Sequence, residues 1–219
     1  MMHTIGSIVH AAVAADITLF KIINSHHAPF FDWFFWIITY LGNGWIVIPP
    51  FVALVLWKVP KSRRMRVLIG SAVVLSVTGL SNTAVKELVD RPRPLTYFVS
   101  STTDSSAPAQ RLYEVHVVKQ KLYGHSVPSG HANTAFTLAA LTVLVFGIRF
   151  WPAFLVALAV AYSRVYLGVH FPLDTLAGAC LGIIMTLALW YSAVKDKTQG
   201  PSGKNRHSKR THISLRDKT

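Results

Sequence analysis

Of 219 residues, 52% are hydrophobic and only 14% carry charge, an apolar share above and a charged share below those of ordinary globular domains. That balance excludes a soluble domain of the usual kind and points to lipid. The formal net charge of +13 invites a nucleic-acid reading, but the charge is gathered into KVPKSRRMR at 58–66 and the tail from Lys195, with neither aromatic interleaving nor a known nucleic-acid module. No nucleic-acid partner is expected, since basic blocks that flank apolar runs set topology and meet anionic lipid.

In chain order, residues 4–24 form an apolar helix that contains Asp16 and Lys21, and it either spans the membrane or lies in the interface. A basic n-region and a clear cleavage site are both missing, so no cleavable signal peptide is expected. Residues 30–41, rich in Trp and Phe, read as an interfacial helix, and residues 45–57, beyond Gly42, Asn43 and Gly44, as the spanning part. One long span over 33–57 is the competing reading. The uncharged runs 67–85, 132–148 and 175–194 each approach the ~20 apolar residues that cross a bilayer core, while 150–163 is uncharged but short. The fold class predicted is all-α, a polytopic membrane bundle of five or six transmembrane helices. Residues 1–194 are one membrane domain in this reading, and 195–219 a basic, disordered tail. The lone Cys180 can form neither an internal disulfide nor a Cys-based metal site.

The positive-inside rule orders the spans. With 58–66 cytoplasmic, span 67–85 exits, 86–130 lies outside, 132–148 returns, and Arg149 is inside. Residues 150–165 exit again, and 175–194 delivers the basic tail to the cytoplasm. Every basic cluster falls on one side, which predicts that three polar clusters on the other side meet.

The first is KELVDRPRP, 86–94, where the helix stops before Pro92 and leaves Lys86 on its last turns and Arg93 on an extended segment. Alone, such cations serve as well to cap a helix or anchor it to headgroups. The second is PSGH, 128–131: Ser129 is placed to cap a helix, Gly130 admits a ligand to its free N–H groups, and His131 sits in the first turn. The third is SRVYLGVHFPLD, 163–174, a turn with Gly168 ending one helix and Pro172 opening the next. Asp174, in the first turn, can reach back to one nitrogen of His170 and leave the other free for attack, although a His and Asp pair can also merely stitch a loop. With Arg164 the set offers three cations, helix N–H donors, two imidazoles and one carboxylate, with no set of metal-ligand type. No metal or other cofactor is expected, and such a set suits an oxyanion, as phosphoryl transfer requires.

These clusters spell K-x6-R-P (Lys86 to Pro94), P-S-G-H (Pro128 to His131) and S-R-x5-H-x3-D (Ser163 to Asp174) with no departure at a defining position. In motif order, spacing and placement the chain resembles the type 2 phosphatidic acid phosphatase superfamily, over roughly residues 30–194. The resemblance implies that His170 attacks phosphorus and becomes a phosphohistidine, that Asp174 orients it, and that His131 protonates the leaving oxygen. It implies phosphate binding by Lys86, Arg93, Ser129, Gly130 and Arg164, and it selects Arg93 over Arg91. The function implied is hydrolysis of a membrane lipid phosphate or diphosphate, of the undecaprenyl diphosphate, phosphatidic acid or phosphatidylglycerol phosphate class. A lipid phosphotransferase and a lipid A phosphatase are the alternatives. The location expected is a bacterial cell membrane, with the site on the periplasmic or extracellular face and the C-terminal tail in the cytoplasm.

Overall fold

The computed structural model describes residues 2–99, 113–119, 122 and 124–192. Eight α-helices are described in chain order: α1 (Met2–Ser25), α2 (Pro29–Ile38), α3 (Gly44–Lys58), α4 (Lys61–Leu88), α5 (Pro94–Val99), α6 (Gly130–Phe146), α7 (Ala153–Tyr166) and α8 (Pro172–Trp190). Extended pairing among the described residues is confined to one bridge between Pro92 and His125. The reading of 195–219 as a disordered tail falls outside the described residues, as does much of the polar stretch between α5 and α6.

By length and composition, Gly6–Ser25, Lys61–Leu88, Ile148–Tyr166 and Pro172–Trp190 can each cross a membrane. The aromatic segment and α3 pass the same test only as a pair, bent by 60° at the break after Gly42. Asn43 makes that break: its backbone is extended, and its side-chain oxygen caps α3 by accepting from Trp45 N at 3.1 Å. The expected five or six spans therefore meet four or five by this measure, because α6 has only 17 residues against the ~20 needed. It is nevertheless the most enclosed helix, packed between α4, α7 and α8, so protein rather than lipid surrounds much of it. A further difference concerns the basic block: Lys61 to Arg66 is helical and opens α4, with Arg64 Nε donating to Val59 O at 2.8 Å. Long basic side chains keep good helix propensity while carrying their charge to the interface, so charge alone did not end that helix.

Core packing explains how the three motifs converge. Phe51, Val55, Val74, Leu138 and Leu141 join α3, α4 and α6, and Ala135, Phe136, Ala139, Ala157, Val160 and Ala179 join α6, α7 and α8. Small residues let α6 and α8 approach closely: a Cβ on Gly178 would stand 2.4 Å from the Ser129 carbonyl oxygen. Outward positions such as Ile69, Leu80 and Ile184 are exposed and apolar, a surface suited to lipid rather than water. The two charges that make α1 ambiguous in the sequence both have partners. Asp16 is 4% exposed and pairs with Arg91, and the Lys21 ammonium lies 5.5 and 5.6 Å from the ring centroids of Phe98 and Tyr113.

Candidate active site

At the end of α4, Lys86 is half-buried and within electrostatic reach of Arg93, Asp174 and Arg164. The chain then runs extended through two prolines, and the two arginines of RPR part company. Arg91 Nη1 donates to Asp174 Oδ1 at 2.7 Å, its other terminal nitrogen pairs with Asp16, and its guanidinium lies 4.3 Å from the centre of the Phe171 ring. Arg93 donates from Nη1 to Val169 O at 3.2 Å, while its buried Nε has no partner. Two carboxylates thus occupy Arg91, whereas Arg93, the one that the resemblance selects, has no carboxylate partner among the described residues.

Ser129 stands at the N-cap of α6 as expected, but its side chain does not cap. The hydroxyl is buried and unpartnered, and the backbone N–H donates to Asp174 O at 2.9 Å, tying the second motif to the third. The N-cap expectation is corrected to this extent: the position holds, and the side-chain oxygen is left for something else. Gly130 follows as the first residue of the helix. His131 lines a cavity of about 130 Å³ together with Arg164 from α7 and Trp36, Thr39, Tyr40 and Asn43 from the bent aromatic segment. That segment reaches the cavity because Gly42 brings its backbone against His131, where a Cβ would stand 2.8 Å from His131 Cβ.

In the third motif Ser163 is fully buried and donates to Val160 O at 2.6 Å, a packing role inside α7. Arg164, 3% exposed, donates from Nη1 to Thr39 Oγ1 at 2.7 Å and leaves Nε unpartnered. Among the described residues neither Arg164 nor Arg93 pairs with a carboxylate. Buried cations and a hydroxyl without partners are costly in a closed core and are satisfied when an anion enters. After α7 the chain turns through Gly168 at φ +73°, where a Cβ would stand 2.4 Å from His116 O, so both its backbone angle and its space require glycine.

His170, 2% exposed, lies on the turn that follows. Burial, reinforced by the Arg164 and Arg93 charges and opposed by Asp174, holds its imidazole down to about 4 from an ordinary 6.5. Asp174 is fully buried in the first turn of α8, where its Oδ2 accepts from Phe171 N at 2.8 Å. It reaches back towards one nitrogen of His170, as the sequence predicts, but not closely. Oδ2 lies 3.6 Å from Nδ1, and Ser126 stands beside both: its hydroxyl bonds Asp174 Oδ2 and lies 3.3 Å from His170 Nδ1. His131 is within electrostatic reach of Arg164, His170, Arg93 and Lys86, so the three clusters surround one position.

Sequence reasoning missed Ser126, Thr39 and the Asp16–Arg91 pair. Only Asp16 carried a signal, as the one acid in a largely apolar helix, which implies a partner. Ser126 and Thr39 are ordinary residues made relevant by convergence of distant segments.

The profile of the PAP2 superfamily matches residues 67–198, which include all three motifs. A lipid A 4'-phosphatase of Bacteroides thetaiotaomicron is 29% identical over 174 residues, covering 76% of this chain and 72% of that protein. An undecaprenyl-diphosphatase of Sulfolobus acidocaldarius is 26% identical over 190 residues, covering 86% of this chain and 82% of that one. Among solved structures, a transmembrane PAP2 type phosphatidylglycerolphosphate phosphatase from Bacillus subtilis superposes with a TM-score of 0.62 at 24% identity, over 87% of this chain and 89% of that chain, and so shares the fold.

Proposed function

The chain belongs to the PAP2 superfamily, and on that premise we propose that this multi-pass membrane protein hydrolyses a lipid phosphate or diphosphate through a phosphohistidine on His170. The observation that carries the proposal is the set of buried, unpartnered donors, Arg93 Nε, Arg164 Nε and Ser129 Oγ, gathered around two imidazoles. Phosphoryl transfer demands little beyond positioning and neutralisation of charge on three oxygens, and these groups can do both.

His170 Nε2 attacks phosphorus while the bond to the lipid-bearing oxygen breaks, and His131 gives its proton to that oxygen. Lys86, Arg93, Ser129, Gly130 and Arg164 hold the remaining oxygens, with the free N–H groups at the start of α6 adding to the anion site. Asp174 keeps the His170 ring in place. In the second half, water attacks phosphorus, His131 accepts its proton, and the P–N bond breaks to release phosphate and restore His170. His131 begins as an acid and ends as a base, so one proton completes the cycle. A helix start disfavours a charged imidazole, but the phosphate that binds beside it favours the imidazolium, so the acid forms in the complex.

The basic runs support a site facing the outside of the cell, with the C-terminal ends of α3 and α8 towards the cytoplasm. The acyl or prenyl chain stays in lipid while the phosphate enters between helix ends. Relatives act on lipid A and on undecaprenyl diphosphate by their names, and a site built to grip phosphate is compatible with either class. The test is phosphate release by purified protein in detergent over a panel of undecaprenyl diphosphate, lipid A, phosphatidic acid and phosphatidylglycerol phosphate. His170→Ala is expected to abolish release from every member while the protein stays folded. Normal release by that variant removes the nucleophile, and appearance of the phosphoryl group on an acceptor lipid makes the protein a transferase.

A further inference from the structure

Asp174 is the group that the third motif supplies to orient His170, yet it does not touch the ring at hydrogen-bond distance. The oxygen nearer the ring, Oδ2, already accepts two bonds. Arg91 donates to Oδ1 at 2.7 Å, Phe171 N donates to Oδ2 at 2.8 Å, and the Ser126 hydroxyl also bonds Oδ2. Nδ1 of His170 is 3.6 Å from Oδ2 but 3.3 Å from Ser126 Oγ. Ser126 is fully buried, so water does not compete for its hydroxyl.

The direction of these bonds follows from the inventory of protons. A carboxylate held by an arginine is ionised and can only accept, so the single Ser126 proton points to Asp174. The lone pairs of Oγ then face the ring, and only a protonated Nδ1 can satisfy them. That places the imidazole proton on Nδ1 and leaves the Nε2 lone pair free. The hydroxyl is held by its own backbone, since Ser126 N donates to Arg91 O at 2.8 Å, beside the bridge between Pro92 and His125. The segment that carries Arg91 to one carboxylate oxygen therefore carries Ser126 to the other.

We propose that Ser126 is a positioning residue of this site, linking Asp174 to His170 through its hydroxyl and so fixing the tautomer and tilt of the ring. No covalent change occurs at Ser126 during the cycle. Its bond from Nδ1–H persists while Nε2 carries the phosphoryl group, and through it the Asp174 charge offsets the positive charge that develops on the ring. The proposal rests on His170 as the nucleophile, and the experiment separates the two.

Wild type, Ser126→Ala and His170→Ala are compared for phosphate release and by nitrogen-15 NMR of histidine-labelled protein in detergent. With Ser126→Ala, kcat is expected to fall roughly 10- to 100-fold, KM to stay within about twofold because no phosphate ligand is removed, and the His170 signals to shift from a pure Nδ1–H form to a mixture of tautomers. A wild-type kcat in Ser126→Ala, or a drop in kcat with the tautomer unchanged, overturns the proposal. The wild-type spectrum is a test that needs no variant: His170 protonated on Nε2 overturns the proposal directly. Turnover by His170→Ala instead overturns the nucleophile assignment under Proposed function, whatever Ser126 does.

Discussion

Gly178→Ala is the most informative single change outside the reacting groups. The added Cβ would stand 2.4 Å from the Ser129 carbonyl oxygen, 3.2 Å from Asn133 N and 3.3 Å from Ala132 Cβ, where ordinary contact begins at 3.4 Å. The nearest of these is backbone on α6, which has no rotamer to move aside, so the two helices must separate locally by about 1 Å. Ser129 and His131 are carried on α6, and Asp174 on α8, so the gap opens across the site and lengthens the Ser129 N–H bond to Asp174 O, 2.9 Å in the native protein. Overpacking of this kind costs about 1–3 kcal/mol, or roughly 2–12 °C in melting temperature for a chain of this size. A misplacement of ~1 Å costs about 100-fold in turnover. The assay is phosphate release in detergent paired with thermal unfolding, and Gly79→Ala is the comparison. Gly79 lies in α4 with nothing within 4 Å of a Cβ, so that variant should keep its activity and gain up to about 1 kcal/mol from helix propensity. Gly178→Ala with native turnover and native melting would refute the argument that close approach of α6 and α8 sets the site.

Two further predictions concern groups at the site. The lowered pKa of His170, about 4, means that its ring is neutral at every pH above that value, so its carbon-13 resonance should stay constant from pH 8 to about pH 5 in the free protein; a midpoint near 6.5 contradicts the burial seen here. Thr39→Val keeps the side-chain shape and removes the oxygen that accepts from Arg164 Nη1 at 2.7 Å. That loss should lower kcat/KM by about tenfold with little effect on melting temperature, and an unchanged kcat/KM would mean that Arg164 is placed without Thr39.

The all-helical bundle and the convergence of three motifs were legible because hydropathy and charge are carried residue by residue along the chain. Pro172 as the first residue of α8, Gly168 as the stop after α7 and the break at Gly42 and Asn43 follow from backbone preferences that one residue type can declare. The length of α4 was less legible, since Lys61 to Arg66 are as helical as the apolar run they precede. What the sequence could not carry was the second layer of the site. Thr39 reaches Arg164 from 125 positions away, and Ser126 reaches Asp174 across 48. Neither contact leaves a periodicity or a spacing, because each depends on where a connecting segment settles against a distant helix. The same limit applies to the Asp174–His170 pair: the i,i+4 spacing brings the two side chains to 3.6 Å, but it does not announce the buried hydroxyl that stands beside both.

The pairing of Asp16 with Arg91 also bears on how the protein is made. Asp16 is synthesised 75 residues before Arg91 and 157 before Leu173, whose backbone N–H it accepts at 2.8 Å. Arg91 lies just past the end of α4 and Leu173 in the first turn of α8, so the Asp16 carboxylate is paired level with the ends of those helices and lacks both partners until each has been made. Asp174 and Asp16 can share Arg91 only once α8 has been added, so this corner of the bundle joins segments made far apart in time.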